Sequence, residues 1–291
     1  MPNFIHLFTQ ELKRPTPRAE RLALAIAGMA YPDLDMALHL RELDDLAAAV
    51  HRALPAGEVG RRRAQRFLQI FNHQLGFTGN HANYYDPHNS FLNVVLHERK
   101  GLPIMLSLLC MVIGDRLGLT VRGVGFPGHF MARYEDEEGA WLLDPFHGEL
   151  VECADADHYL SSIFQRRVAL PAAVHAAVGA PALAQRILNN LRNVYLSRGD
   201  YRMGAAVLGY LLVVHPLEPT LWQERGLLHY YDEQWERATY DLRRYFFFSG
   251  HLLEALFPDE GLEAAGAAAN DEVLQSLQTY RQIAERRRQI N

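Results

Sequence analysis

The chain has 291 residues and a formal net charge of −5, and 49% of its residues are hydrophobic and 22% charged. This composition is typical of a globular protein with a substantial core, and the negative charge argues against a nucleic-acid or acidic-membrane binder. Residues 1–14 include Glu11 and no long apolar run, so we expect no secretory signal. The longest apolar stretch, residues 102–113, is too short to cross a bilayer. The chain has only two cysteines, Cys110 and Cys153, which predicts a reducing cytoplasm.

The first 76 residues predict a helical lead-in, because Leu and Ala recur with helical spacing and Pro32 interrupts the pattern. The predicted helices are residues 19–29, 34–53 and 59–75. A loop rich in Asn, Gly and His follows, over residues 77–89.

The next segment predicts a buried central helix. Ser90 is a candidate cap for a short helix that ends near Lys100, with Gly101 as its stop. Pro103 suits the first turn of the following helix, which continues to about Leu117 and is apolar on nearly all sides. A strand over residues 120–126 comes next.

A β-hairpin is predicted over residues 129–144, with the acidic residues 135–138 at its tip. Symmetric folding about this tip places His129 opposite Asp144, Ala132 opposite Trp141 and Tyr134 opposite Gly139. Directly opposite residues have Cβ atoms about 5 Å apart. His129 and Asp144 would then form an oriented imidazole–carboxylate pair, which supports a nucleophile in many enzymes.

The C-terminal part contains a repeat of 34 residues, in which Tyr201 aligns with Trp235 and Leu208 with Leu242. A helix–turn–helix period of this length, with small residues where helices cross, is the tetratricopeptide signature. Two copies bury little core, so we expect flanking helices near residues 251–256 and 271–288 to complete the stack. The Ala- and Pro-rich residues 169–181 are the predicted boundary.

Four short strings carry a family resemblance: Arg99-Lys100-Gly101-Leu102-Pro103-Ile104, Gly118-Leu119, Gly125-Phe126-Pro127-Gly128-His129-Phe130 and Asp144-Pro145-Phe146. Together they resemble the bacterial SirB-type family, a transglutaminase-like domain followed by tetratricopeptide repeats. The resemblance implies an α+β transglutaminase-like (papain-like) domain over residues 1–168, with a helical lead-in (1–76) and a small antiparallel sheet. It also implies an all-α tetratricopeptide-like region over residues 182–291.

In the catalytic members of this superfamily the resemblance implies a Cys–His–Asp triad, and His129 and Asp144 match its second and third members. The Cys position, at the N-terminus of the central helix, falls at Pro103-Ile104. Cys110 lies about 10 Å further along the helix axis among apolar residues, where burial raises a thiol pKa. Ser107 is nearer but lies on the same apolar helix. Cys110 is therefore a doubtful nucleophile and Ser107 a less favoured one.

The loop contains His81, Asp86 and His88, and with His73, His129 and His147 these residues could line a metal-binding cleft. Their spacing matches no compact metal motif, so we assign no metal and no cofactor.

Three functions remain open. The favoured one is a degenerate, non-catalytic transglutaminase-like protein that binds another protein or peptide through its repeats, with no nucleic acid or membrane as partner. The alternatives are a papain-like thiol enzyme with a relocated nucleophile and a ligand- or metal-binding domain. The candidate partner-binding residues on the inner helices are Asn189, Arg192, Asn193, Gln223 and Arg225.

Overall fold

The protein is described by a computed structural model that covers residues 3–171, 176–256 and 271–290. It divides into two compact units, Met1–Asn190 and Leu191–Asn291. The first unit combines helices with a small, mainly antiparallel sheet, and the described part of the second is helical, which confirms the predicted fold class. The predicted boundary at residues 169–181 stays a prediction, and its residues 172–175 lie outside the described ranges.

The three predicted helices of the lead-in form to within two residues at each end, the last of them completed by a π-helical turn, and a helix that was not predicted, Phe4–Leu12, precedes them. The Asp35 carboxylate accepts the backbone N–H groups of Ala37 and Leu38 and so caps the third helix. The helices that begin in the first unit are α1 (Phe4–Leu12), α2 (Ala19–Ala27), α3 (Met36–Ala53), α4 (Gly60–Gln69, continued by a π-helical turn, Ile70–Gln74), α5 (Leu92–Glu98), α6 (Pro103–Arg116), α7 (Ala156–Phe164) and α8 (Ala180–Ser197).

Helix α6 is the buried centre of the first unit, as its apolar sequence predicts. Pro103 occupies its first turn, where the missing N–H has no intrahelical acceptor to lose. The preceding helix α5 ends near Lys100 as predicted, but its predicted cap and stop were wrong. Phe91, not Ser90, precedes the helix, and its last residue, Glu98, is followed by Arg99, which adopts a left-handed conformation at φ 58°. Gly101 instead lies in a short strand.

The main sheet has the strand order β6-β5-β4-β3-β7, and helix α6 packs on strands β3 and β4. A separate parallel pair, β1 with β2, joins the Asn-rich loop to the start of α6. The strands are β1 (Thr78–Gly79), β2 (Lys100–Gly101), β3 (Thr120–Phe126), β4 (His129–Asp136), β5 (Gly139–Asp144), β6 (Glu149–Glu152) and β7 (Ala177–Val178).

The hairpin of β4 and β5 forms, but its predicted register was wrong by two residues. Asp136 pairs with Gly139, Tyr134 with Trp141 and Ala132 with Leu143. The connection is therefore a tight two-residue turn, in which the Asp136 carboxylate accepts the N–H of Glu138. Because side chains alternate with a period of two, the shift leaves His129 and Asp144 on one face as diagonal neighbours.

The second unit contains the predicted pairs of repeat helices, with Tyr201 and Trp235 as the first residues of equivalent helices. The flanking helices are also present, and the final one packs into the core of the last repeat. Small residues permit the close helix crossings, because a Cβ at Gly226 would lie 3.0 Å from the Leu242 side chain. The remaining helices are α9 (Tyr201–Val214), α10 (Pro219–Tyr231), α11 (Trp235–Ser249), α12 (Leu252–Leu256) and α13 (Asp271–Ile290).

Candidate functional site

The structure brings His129 and Asp144 together. His129 begins strand β4 and Asp144 ends strand β5, so adjacent strands fix both backbones. The Nε2 atom of His129 lies 2.7 Å from the Oδ2 atom of Asp144. The side chains are 4% and 0% exposed, respectively, so this contact is shielded from water.

Asp144 also accepts several other hydrogen bonds. Its Oδ1 atom accepts the backbone N–H groups of Phe146 and His147, which closes a tight turn after β5. Its Oδ2 atom accepts from the His147 ring (Nδ1, 2.9 Å) and from the Tyr159 hydroxyl (2.9 Å), in addition to His129. Burial alone would raise the pKa of Asp144, but the hydrogen bonds and charges of the two histidines hold it well below its usual range. Burial, together with the neighbouring charge of Asp144, raises the pKa of Tyr159.

The contact with Asp144 sets the tautomer of His129. A carboxylate only accepts hydrogen bonds, so the neutral imidazole carries its proton on Nε2 and keeps the lone pair of Nδ1. Nδ1 is therefore the nitrogen that can act as a base or accept a hydrogen bond from a ligand. This is the arrangement of an imidazole that supports a neighbouring nucleophile.

His129 lines a cleft of about 180 Å³ in the first unit. The N-terminus of α6 forms one part of its wall, and α8 contributes Arg186, whose Nη2 donates to the carbonyl of Gly125 at 3.2 Å. Burial lowers the pKa of the Arg186 guanidinium, which also lies over the ring of Phe130. The lining residues are Tyr84, Leu102, Pro103, Ile104, Phe126, Gly128, His129, Phe130, Arg186, Asn189 and Asn190.

The N-terminus of α6, where the family resemblance implies a nucleophile, carries Pro103 and Ile104, and both side chains line the cleft. Cys110 is completely buried, and burial, followed by the charge of Asp144, raises its pKa well above the ordinary value. Ser107 is also completely buried, and its hydroxyl donates to the carbonyl of Phe130 at 3.2 Å. Cys153 is partly exposed, and its thiol contacts the carbonyl of Ala140.

The His-rich loop is only partly near this site. The ring of His81 lies 5.4 Å from the ring of His147 and 4.4 Å from that of Phe146, between centroids. His88 instead pairs with Asp86 at the surface. The sequence indicated His147 as a neighbour of His129 in a candidate metal-binding cleft, but it gave no indication of Tyr159 or Arg186. The Asp-Pro-Phe-His string predicts a turn that folds His147 back onto Asp144, whereas Tyr159 and Arg186 arrive from distant helices without a local signal.

The predicted partner-binding residues lie in different environments. Asn189 lines the His129 cleft in the first unit, and Asn193 is exposed. In the second unit Arg192 forms a two-pronged ion pair with Glu224, and Gln223 donates to Ser276. Arg225 forms two 2.7 Å hydrogen bonds with the buried carboxylate of Asp241. Three of the five side chains therefore connect helices within the repeats.

The fold and the paired His and Asp define the class of protein. Residues 38–189 match the family model of the transglutaminase-like superfamily, and residues 191–291 match that of the tetratricopeptide repeat. The chain is thus a transglutaminase-like domain followed by tetratricopeptide repeats.

Its relatives define the family more narrowly. A UPF0162 protein of Xylella fastidiosa is 32% identical over 235 residues, which cover 77% of this chain and 81% of that protein. The chain belongs to this family. The human F-box only protein 21 is 27% identical over 181 residues, 58% of this chain and 28% of the larger protein. A crystal structure of menin aligns with 96% of this chain and 81% of its own, at 11% identity and a TM-score of 0.35, which is too low to indicate a shared fold.

Proposed function

We propose that this protein is a degenerate, non-catalytic member of the transglutaminase-like superfamily that acts as a protein-interaction or regulatory module through its repeats. The observation that carries the proposal is the pair Pro103 and Ile104 at the N-terminus of α6, in the cleft that His129 lines. A helix N-terminus beside an imidazole would stabilise a thiolate, but neither side chain present can attack a carbonyl. Half of a triad has no acyl-transfer chemistry of its own.

The two substitute nucleophiles support this proposal by their surroundings. A thiol attacks as thiolate, and the fully buried Cys110 lies near the negative charge of Asp144, which opposes ionisation. Ser107 has its hydroxyl engaged by a backbone carbonyl. A papain-like thiol enzyme with a relocated nucleophile therefore has less support than the non-catalytic function.

Alkylation of the native protein with iodoacetamide tests the absence of a reactive thiol. We expect Cys110 to remain unlabelled until the protein unfolds, while the partly exposed Cys153 is labelled slowly and serves as an internal control. Incubation with a library of amides, esters and thioesters should give no covalent acyl-enzyme by mass spectrometry. Fast labelling of Cys110 that His129→Ala abolishes would overturn the proposal.

For the repeats we propose a peptide or protein partner, because stacked tetratricopeptide helices provide a concave binding surface. The proposed contact residues remain Asn189, Arg192, Asn193, Gln223 and Arg225. Asn193 is the most direct test, because its side chain is exposed and its substitution leaves the ion pairs of Arg192 and Arg225 in place.

The partner experiment compares Asn193→Arg with Arg237→Ala, which removes an exposed side chain from α11. Proteins crosslinked to the full chain would be identified with each variant. We expect the capture of one defined partner to fall at least about tenfold with Asn193→Arg alone, which corresponds to about 1.4 kcal/mol. Equal capture by both variants would exclude Asn193 as a contact residue.

We further propose that the chain is of the SirB type and resides in the cytoplasm. The first statement rests on the four strings described above, and the second on two free cysteines in a chain of this length. In the described ranges, none of the helices combines the length and apolar character that a membrane span requires. Cell fractionation with an antibody against the chain tests the location.

A further inference from the structure

Three side chains of the first unit present metal-ligand atoms to one point. One ring nitrogen from His129, one from His147 and a carboxylate oxygen of Asp144 lie within 4.8 Å of one another. Two imidazoles and one carboxylate are ligands that Zn²⁺ and Fe²⁺ accept, whereas Mg²⁺ and Ca²⁺ prefer oxygen alone.

The backbone fixes all three ligands. His129 and Asp144 are held by adjacent strands, and His147 by the turn that follows Asp144. A further hydrogen bond holds this turn together, because the carbonyl of Asp144 accepts the backbone N–H of Gly148 at 2.8 Å. Because two backbone N–H groups anchor Oδ1, the other carboxylate oxygen is aimed at the two imidazoles. Supporting hydrogen bonds of this kind orient the ligands of metal sites.

The hydrogen bonds at the Oδ2 atom of Asp144 are a second, independent observation that points to a cation at this position. This single oxygen faces three donors: His129 at 2.7 Å, His147 at 2.9 Å and Tyr159 at 2.9 Å. A carboxylate oxygen has two lone pairs, so three donors exceed its normal capacity. A cation at this point would bind the lone pairs of both imidazoles and share the carboxylate, and each imidazole would carry its proton on the other ring nitrogen.

We propose that His129 Nε2, Asp144 Oδ2 and His147 Nδ1 bind one divalent transition-metal ion, with Zn²⁺ as the best match. Three protein ligands leave one coordination position for water or a small ligand, unlike the closed four-ligand sets of structural zinc sites. The His147 side chain is 29% exposed, which gives the ion a route from solvent. This inference goes beyond the function proposed for the repeats and does not depend on it.

The test is titration of the full chain, stripped with a chelator, with Zn²⁺ and separately with Co²⁺. We expect one equivalent of Co²⁺ to bind and to give visible d–d absorption bands that one equivalent of Zn²⁺ abolishes. Zn²⁺ should also raise the melting temperature, because it binds the folded state.

The variant His147→Ala should lower the affinity at least about 100-fold, because loss of a ligand exceeds the 10–100-fold effect of losing a supporting residue. His147→Gln provides a second variant of similar size if the alanine variant folds poorly. The matched control is His97→Ala, since the His97 side chain is 84% exposed and pairs only with its neighbour Glu98 in the described contacts. We expect this control to bind like the unaltered protein.

Two results would overturn the proposal: no stoichiometric Co²⁺ or Zn²⁺ binding by the folded chain, or binding that both His147 variants leave unchanged. Either result would leave partner capture by the repeats unaffected, so the two proposals fail separately.

Discussion

Gly79 packs directly against the ring of Phe146. A Cβ atom at position 79 would lie 2.6 Å from the Phe146 ring, closer than real Cβ contacts permit, and the Gly79 N–H donates to the Phe146 carbonyl at 3.3 Å. The ring of Phe146 also contacts those of His81, Tyr84 and His147. This glycine therefore allows the short strand β1 to lie against the turn that presents Asp144.

Replacement of Gly79 by alanine should destabilise the first unit. The Phe146 ring cannot move away without disturbing the turn that follows Asp144, so we expect a loss of about 1–3 kcal/mol in the free energy of unfolding. Urea denaturation measures the loss. Gly179→Ala is the control, because the nearest atom to its added Cβ would be 3.9 Å away, and it should change stability by less than about 0.5 kcal/mol. Equal stability of both variants would show that the ring can move freely.

Replacement of Asp144 by asparagine should reduce the stability of the first unit more than Gly79→Ala does. The amide keeps the shape but loses the charge, and its NH₂ group would face donors if it replaced Oδ2. We expect a loss of about 2–4 kcal/mol near neutral pH, because a buried, charge-assisted network is broken. The exposed Asp33 gives the control variant Asp33→Asn, which should stay within about 0.5 kcal/mol.

The depressed pKa of Asp144 predicts an acid-dependent loss of stability. The folded state holds this pKa below the unfolded value of about 3.9, so the unfolded state binds the proton more readily. The contribution of the carboxylate is complete above the unfolded value and is lost as the pH falls through the lower folded value. Chemical denaturation below about pH 4 should therefore show a steeper decline for the unaltered chain than for Asp144→Asn. Parallel pH profiles of the two proteins would contradict the assignment of a negative charge to Asp144 in the folded state.

A cysteine at position 104 should recover a reactive thiol. Ile104 lies in the first turn of α6 and lines the cleft with His129, where the helix dipole and an imidazolium both favour a thiolate. We expect Ile104→Cys to react with iodoacetamide at least about tenfold faster than the partly exposed Cys153, with a midpoint below the ordinary thiol pKa of about 8.5. His129→Ala in the same chain should slow this reaction.

The matched control for that experiment is Ile113→Cys, a buried position near the other end of the same helix. Its thiol should remain unlabelled in the native protein, because burial opposes ionisation and access. If the two new cysteines react at equal rates, the cleft does not activate a thiol. The site would then lack the surroundings that lower a thiol pKa as well as the nucleophile itself.

Removal of Arg225 should destabilise the second unit. The Asp241 side chain is only 2% exposed, and Arg225→Ala leaves its carboxylate without the two 2.7 Å bonds. We expect a loss of about 2–4 kcal/mol, because the buried carboxylate would keep, of its described contacts, only the 3.7 Å contact with the Nε2 atom of His229. Thermal melting of this variant beside the exposed Arg237→Ala measures the loss. A stable Arg225→Ala protein would instead make Arg225 suitable for partner-binding tests.

Much of this architecture can be predicted from periodicity. The 34-residue spacing of Tyr201 and Trp235 marks the starts of equivalent helices, and Pro103 marks the start of α6. The register of the β4–β5 hairpin could not be predicted from the acidic residues at its tip. The turn type depends on the Asp136 side chain, which accepts from both Glu138 and Gly60, and Gly60 is distant in the sequence.

The candidate site was predictable where two residues share a face and not where distant elements meet. A two-residue error in register preserves side-chain direction, so the pairing of His129 with Asp144 survived it. Tyr159 reaches the same carboxylate from helix α7, which follows strand β6, and Arg186 reaches Gly125 from 61 residues away. No local pattern encodes such contacts, because they depend on how complete elements pack.

The shared carboxylate of Asp144 has a genetic consequence. A mutation that replaces Asp144 removes several interactions at once, because its carboxylate accepts hydrogen bonds from two imidazoles, one phenol and two backbone N–H groups. Tyr159→Phe removes a single donor from the same oxygen, and His147→Ala removes another. Comparing the phenotypes of these two alleles with that of Asp144→Asn would separate the loss of one interaction from the loss of the whole turn.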